Sequence, residues 1–561
     1  MIFISFVLII EVLFITNGVA TDYPEIETEL GKIRGTYGVS VQGRTYSAFQ
    51  GVPYAEPPIG KYRLVEAQPV KPWNGVWVAN TTHKCLQFDH FSKAEDTYNV
   101  VGDEDCLYLN IYVPKVDKNE GLDVIVVIHG GAFMFGNGQS FGPEVIMDKN
   151  VVYVNLNYRL GILGFLSTED NIIPGNFGLK DQLLALKWIK KHIEAFGGNP
   201  ESITISGMSA GGASVHIHYL SPLSEGLFNR GISQSGTALN PWVLVENSRE
   251  KAEVLASHLG CSFISSEEIL ECLRQRSARQ IVALTRHFIA WYYNPFSPFG
   301  VVVDKWSKNP ILPEHPLILL KNRKLRNIPW IFSMVESEGL YPAAEFLQYP
   351  NSLKELNENW ETLLPFLLDF NHTVDLKEQN SVVQKIRDHY FNGKSASRET
   401  FVNVLKMIGD RLFAVDIEES AKLQAAGSDG SVYFYYFSYR GVHSRSEILA
   451  KRNENYGAGH LDDTLYVLTT FMQKDATESE RKMTEIMKNI WTTFAHNGKP
   501  LVKGVDWLPV SKREDDPIQY LDIRSPNDIK MNSSEDLGNR KFWNSLPFKE
   551  NLRLFHERDE L

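Results

Sequence analysis

Chemistry is concentrated first in Gly207-Met208-Ser209-Ala210-Gly211. A serine hydroxyl is a weak nucleophile at neutral pH. It needs a base to take its proton and a carboxylate to steady that base once charged. The surroundings suit a serine presented for this purpose. Ile203-Thr204-Ile205-Ser206 alternates as a strand, and Ala213 to Leu220 follow in a helix-compatible pattern. Strand, tight turn and helix make a nucleophile elbow, with Gly207 and Gly211 leaving room where strand and helix cross. The turn pushes the Ser209 hydroxyl out of the sheet. The N–H of Ala210 falls at a helix start, where donors lack intrahelical partners. GxSxG also occurs in ordinary Gly/Ser loops, so the rest of the chain must supply the partners.

His129-Gly130-Gly131-Ala132-Phe133 closes the continuous β-branched run Val124-Ile125-Val126-Val127-Ile128. Small residues in succession allow backbone N–H groups to converge on one point, as an oxyanion requires. Beyond Ser209, the strand-like Trp330-Ile331-Phe332-Ser333-Met334 leads into Val335-Glu336-Ser337-Glu338-Gly339, and either glutamate could be the acid. For the base, His460 lies among the glycines of Gly457-Ala458-Gly459, and His443 competes. Most of the 15 histidines, His216 and His218 included, read as core or surface residues.

The elements that must position these groups alternate. Glu104 to Tyr112 reads as an alternating strand, and Val124–Ile128 and Val151–Leu156 as strands buried on both faces. After Gly178, Leu186, Ile189, Ile193 and Phe196 mark a helix stopped by Gly197-Gly198. Strand and helix in alternation give an α/β fold with a large, mostly parallel mixed sheet and helices on both faces. From Gly31 to Trp77, short β-rich runs form a small antiparallel lead-in, with Pro53, Pro57 and Pro58 stiffening the loop at Tyr54. Arg63 and Glu104 are expected to form a structural ion pair.

The 561 residues are 43% hydrophobic and 22% charged, which is a globular composition. The formal net charge of −11, with no Lys/Arg block interleaved with aromatics, speaks against nucleic acid. Residues 1–20 read as a cleaved leader, with Gly18-Val19-Ala20 before the cut, although no basic residue precedes the apolar run. Glu11 and Asn17 leave too short a span for a membrane anchor, and no later stretch would cross a bilayer. A domain over 21–548 and a tail over 549–561 follow. Of three connectivities open to four cysteines, the local pairing Cys85–Cys106 and Cys261–Cys272 closes two loops without threading. The cysteines lack CxxC spacing, so no metal is expected, and no cofactor. Asn80, Asn371 and Asn532 head N-glycosylation sequons. The final Arg558-Asp559-Glu560-Leu561 differs from the KDEL retrieval signal by one basic residue, which favours a retrieval receptor and the endoplasmic reticulum lumen over secretion.

Four ordered stretches carry a resemblance. Glu104-Asp105-Cys106-Leu107-Tyr108-Leu109-Asn110, His129 to Phe133, Gly175-Asn176-Phe177-Gly178-Leu179-Lys180-Asp181-Gln182 and Gly207 to Gly211 are similar to successive signatures of the type-B carboxylesterase/cholinesterase family of α/β-hydrolases. The likeness spans about residues 25–545 and is greatest to insect carboxylesterases. It implies a serine esterase in which the acid precedes Gly, selecting Glu338 over Glu336. The base lies in Gly-x-x-His-x-x-acid, selecting His460 over His443. Gly131, Ala132 and Ala210 would hold the oxyanion, with Ala132 standing where many relatives have glycine. Ser235 would sit beside the acid–base pair and Trp242 would line the acyl pocket. The aromatics Trp291, Tyr292, Tyr293, Phe296 and Phe299 read as core rather than as sites.

Residues 86–105 contain no tryptophan for a cationic substrate, and Met208 stands where cholinesterases carry Glu. Juvenile hormone esterases typically carry Gln there. The expected activity is therefore hydrolysis of apolar or xenobiotic carboxylic esters through an acyl-serine. A juvenile hormone esterase-like or other specialised esterase is the alternative, and a non-catalytic ligand-binding or adhesion relative is the alternative of another class.

Overall fold

The computed structural model describes residues 23–89, 99–115, 121–323, 325–349, 351–469 and 476–551. The expected leader and the Arg558–Leu561 signal lie outside them. An eleven-stranded sheet organises the chain. In chain order its strands are β1 (Thr36–Val39), β2 (Thr45–Pro53), β3 (Tyr108–Pro114), β4 (Leu122–Ile128), β5 (Val152–Leu156), β6 (Gly198–Met208), β7 (Arg230–Gln234), β8 (Trp330–Val335), β9 (Val432–Phe437), β10 (Ile518–Ser525) and β11 (Asp528–Ser534). In space they run β11-β10-β9-β8-β7-β6-β4-β5-β3-β2-β1. From β10 through β5 all neighbours are parallel, and the strands beyond them at both edges are antiparallel.

Alternation divides the core. Val124, Val126 and Ile128 of β4 pack into one apolar cluster, while Ile125 and Val127 enter a second on the opposite face. Helix α1 (Phe177–His192) and helix α2 (Ala210–Leu220) contribute to the first. Helix α3 (Glu478–Asn497) sends Met487, Trp491 and Phe494 into the second. Seven parallel strands buried on both faces need such cover, because parallel sheets are rarely left wet. The expected helix stop also appears: α1 gives way to a 3₁₀ turn, Ile193–Phe196, and Gly197 takes the left-handed conformation at φ 83°.

Two expectations shift. The strand read from Glu104 begins only at Tyr108, because Cys106 is tied to Cys85 and the Asp103 carboxylate accepts the Asp105 N–H at 2.9 Å. The lead-in is not wholly antiparallel: Glu25–Thr28 pairs antiparallel with Gly31–Arg34, which pairs parallel with Val76–Val78. Both local disulfides form, Cys85–Cys106 and Cys261–Cys272, with Cα separations of 4.9 and 5.9 Å. Arg63 grips Glu104 with two bonds of 2.7 Å and donates to the carbonyl of Arg276 at 2.7 Å, joining the two disulfide regions. Arg159 similarly clamps the fully buried Asp181 of α1 through two 2.7 Å bonds. Such bidentate pairs are directional, and breaking one by removing a single partner typically costs about 3–5 kcal/mol.

Candidate active site

Ser209 stands between β6 and α2 with φ 57° and ψ −124°, a strained conformation for a residue with a side chain. Its surroundings leave no alternative. The Ser209 N–H donates to the Gln234 carbonyl at 2.7 Å, and its carbonyl accepts the Ala213 N–H at 2.9 Å. A Cβ at Gly207 would lie 2.2 Å from the Gly211 carbonyl oxygen, and one at Gly211 would lie 2.0 Å from that of Ile128. Strand and helix thus cross at a separation only glycine permits.

Glu338 lies in the turn that follows β8, three residues past Val335. Its Oε1 accepts the Val335 N–H at 2.9 Å, and its Oε2 meets His460 Nδ1 at 2.5 Å. The two loops are sewn together: the Ser337 N–H donates to the Ala458 carbonyl at 2.9 Å, and the Ser337 hydroxyl donates to the Tyr456 carbonyl at 2.5 Å. Both members of the pair are buried, with 2% and 7% exposure. A charge-assisted bond gains strength where water is excluded. With Nδ1 donating to Glu338, the other ring nitrogen, Nε2, is left as an acceptor, and it has no protein hydrogen-bond partner. Tyr341 stacks on the imidazole at 5.2 Å between centroids, and Phe413 lies 4.7 Å away.

The competitors lie elsewhere. Glu336 faces Gly457, where a Cβ would come within 2.5 Å of its Oε2, and burial raises its carboxyl. His443 is exposed and pairs with Glu447 at 3.3 Å. His216 and His218 are fully buried, and burial pushes both imidazoles down to about 3, so they stay neutral.

Gly131, Ala132 and Phe133 all have positive φ, at 115°, 55° and 60°. The Gly130 carbonyl meets His129 Nδ1 at 2.8 Å. The Gly131 carbonyl accepts the Met134 N–H at 2.8 Å, and the Ala132 carbonyl accepts the Ser297 hydroxyl at 3.0 Å. In a trans peptide the N–H points opposite to its carbonyl. Tying these carbonyls inward therefore turns the N–H groups of Gly131, Ala132 and Phe133 the other way. A Cβ at Gly130 would lie 3.0 Å from Ser209 Cβ, so this loop presses on the serine. Ala210, first in α2, has an N–H with no intrahelical acceptor.

Ser209, Gly131 and His460 line one cavity of about 170 Å³. Phe135, Phe141, Leu340, Tyr341 and Leu449 make most of its wall apolar, and Arg445 is its cation. Ser235 is buried with φ 50°, and its hydroxyl has no partner. Trp242 donates to the Leu412 carbonyl at 2.8 Å and packs on Phe133 and Phe413. It lines a second cavity rather than the one lined by Ser209, and reaches His460 through Phe413.

The sequence profile described as the carboxylesterase family matches residues 22–543. The chain belongs to the carboxylesterase family. This carboxylesterase is 42% identical over 94% of its length to a carboxylic ester hydrolase of Bombus ignitus, covering 95% of that protein. It is 40% identical, at the same coverage of both chains, to venom carboxylesterase-6 of Apis mellifera. It superposes on the crystal structure of juvenile hormone esterase from Manduca sexta, with OTFP covalently attached, at a TM-score of 0.81 and 28% identity, covering 93% of this chain and 99% of that one. The fold is thus an α/β-hydrolase and the activity that of a serine carboxylic ester hydrolase. Among the described residues, no helix is long and apolar enough to cross a membrane.

Among the groups that sequence reasoning passed over, three support His460 in this carboxylesterase. Tyr341 and Phe413 lacked any motif. Asp463 is fully buried. Its Oδ2 accepts Tyr435 at 2.7 Å, Gln234 at 2.9 Å and Ser333 at 3.4 Å. It thereby ties β7, β8 and β9 to the loop bearing His460. Asp462 accepts the N–H groups of Gly459 and Arg445 at 2.7 and 2.8 Å, and burial pushes its carboxyl up to about 6. Position three past the histidine was the one available signal, and it was used only to choose among histidines.

Proposed function

We propose that this enzyme hydrolyses apolar carboxylic esters with Ser209 as nucleophile, His460 as general base and then acid, and Glu338 as the carboxylate that orients and steadies the imidazole. The observation that carries this reading is the 2.5 Å bond from His460 to Glu338, with Nε2 left open in a cavity that Ser209 also lines. His460 takes the Ser209 proton as Oγ attacks the ester carbonyl. The N–H groups of Gly131, Ala132 and Ala210 receive the developing oxyanion, each donor being worth on the order of 10²–10³ in rate. His460 then protonates the departing alcohol, and water cleaves the acyl-enzyme by the same route. Ser235 and Trp242 support the site from behind. The aliphatic and aromatic wall favours apolar acyl and alcohol groups.

A p-nitrophenyl ester tests the reading. A burst of nitrophenol from the wild type, absent in Ser209→Ala, supports it. Equal turnover by both proteins refutes it. We further place the protein in the secretory pathway, with retrieval to the endoplasmic reticulum by its last four residues. Two disulfides and the exposed sequon at Asn80 are compatible with that route, as are Asn371 and Asn532, both half-buried. Unchanged export after deletion of Arg558–Leu561 would refute retention.

A further inference from the structure

The wall of the catalytic cavity holds a cation that the esterase mechanism does not use. Arg445 is placed by its backbone: its N–H donates to Asp462 Oδ1 at 2.8 Å, in the turn before the helix Ser446–Ala450. Its guanidinium lies over the Phe141 ring, 5.6 Å from the centroid, and both side chains line the cavity with Ser209 and His460. A guanidinium presents five N–H donors in a rigid fork. Among the described residues no carboxylate comes within ion-pair distance of it and no protein acceptor takes its donors. Arg440 provides the contrast, since it reaches Glu447 at 3.5 Å and Asn453 at 2.6 Å. Asp462, the carboxylate whose charge acts on Arg445, spends both oxygens on backbone N–H groups, and Glu447, two residues along, is taken by Arg440, His443 and the Ser444 N–H. A half-buried cation with open donors, resting on an aromatic face, is an arrangement that captures a carboxylate.

We propose that Arg445 is a specificity residue that recognises an anionic group on the ester substrate, so that the preferred substrates are monoesters carrying a free carboxylate remote from the scissile carbonyl. This rests on the esterase reading above and narrows its substrate class: an apolar chain along Phe141, Leu340 and Leu449, ending in one acid. The fork suits a carboxylate because both its oxygens can be engaged at once. A charge-assisted bond of this kind corresponds to about tenfold or more in affinity.

The test compares p-nitrophenyl monoesters of linear dicarboxylic acids, from four to ten carbons, with neutral p-nitrophenyl esters of matched length at pH 7.5. We expect kcat/KM for one or more of the acidic esters to exceed that of its neutral match by about tenfold, through KM. The ratio should fall with added salt and collapse toward one in Arg445→Gln. Arg445→Lys, which keeps the charge without the fork, should give an intermediate ratio. If the wild type prefers the neutral member at every length, or if Arg445→Gln keeps the wild-type ratio, the proposal is overturned. Turnover of the neutral esters by the wild type and its loss in Ser209→Ala are read in the same plates. Failure of the esterase reading is therefore distinguished from failure of the Arg445 assignment.

Discussion

Two cavities, one lined by Ser209 and the other by Trp242, differ in what they can do. One, of about 170 Å³, holds Ser209, Gly131 and His460 in a mostly apolar wall. The other, of about 400 Å³, is larger and carries Lys251, Asp369 and His372 along with Trp242 itself. Lys251 donates to the Pro298 carbonyl at 2.9 Å, and burial pushes its ammonium down to about 8. Burial pushes the Asp369 carboxyl up to about 7, although Arg411 and Lys251 pull the other way. Size and perturbed charge therefore do not mark the cavity proposed here as reactive. What distinguishes the smaller cavity is a strained serine beside inward-tied peptides and an imidazole with one nitrogen held and one open.

Substitutions on either side sharpen the contrast. The largest loss is expected for Ser209→Ala or His460→Ala, about a million-fold in kcat, since residues that act as a unit fail together. Glu338→Gln should lower kcat about 10⁴-fold, by analogy with other orienting acids. Glu336→Gln, at the carboxylate that faces Gly457 instead, should stay within about threefold. Steady-state rates on a neutral ester check all four, and a larger loss from Glu336→Gln would reverse the choice of acid. Asp463→Asn should reduce kcat by about tenfold with little change in KM, because it loosens the loop that carries His460 without touching substrate. In the larger cavity, Lys251→Met should leave kcat/KM within about twofold.

The charged cavity should instead appear in stability. The native pKa of Asp369 lies above its unfolded value of 3.8, so the native state holds the proton more tightly. Its contribution to stability is full below about pH 4 and is lost as pH rises towards 7. The wild-type Tm should thus fall between pH 4 and 7.5 by more than that of Asp369→Asn. Parallel Tm curves for the two proteins would contradict the assignment.

The difference between the cavities also explains what was legible in the sequence. Gly207–Gly211 and His129–Phe133 are contiguous, and local geometry alone dictates their small residues. Glu338 and His460 are 122 positions apart, and residue chemistry left Glu336 and His443 open until the family pattern chose between the pairs. The buried strands of the central sheet read directly from their β-branched runs. The start of β3 did not, because a disulfide and a local carboxylate overrode the alternation in Glu104–Leu107. Tyr341, Phe413 and Arg445 were invisible, since each becomes part of the site only through long-range packing on His460 or Phe141. Trp242, expected to line the acyl pocket, packs on Phe133 and Phe413 and lines the larger cavity.

The most direct measurement is covalent. Diethyl p-nitrophenyl phosphate should phosphorylate the enzyme once, with loss of nitrophenol, and peptide mass mapping should place the adduct on Ser209. The label should be absent in Ser209→Ala and slowed at least about a thousandfold in His460→Ala. An adduct on any other residue, or undiminished labelling of Ser209 without His460, would contradict the proton-relaying cluster.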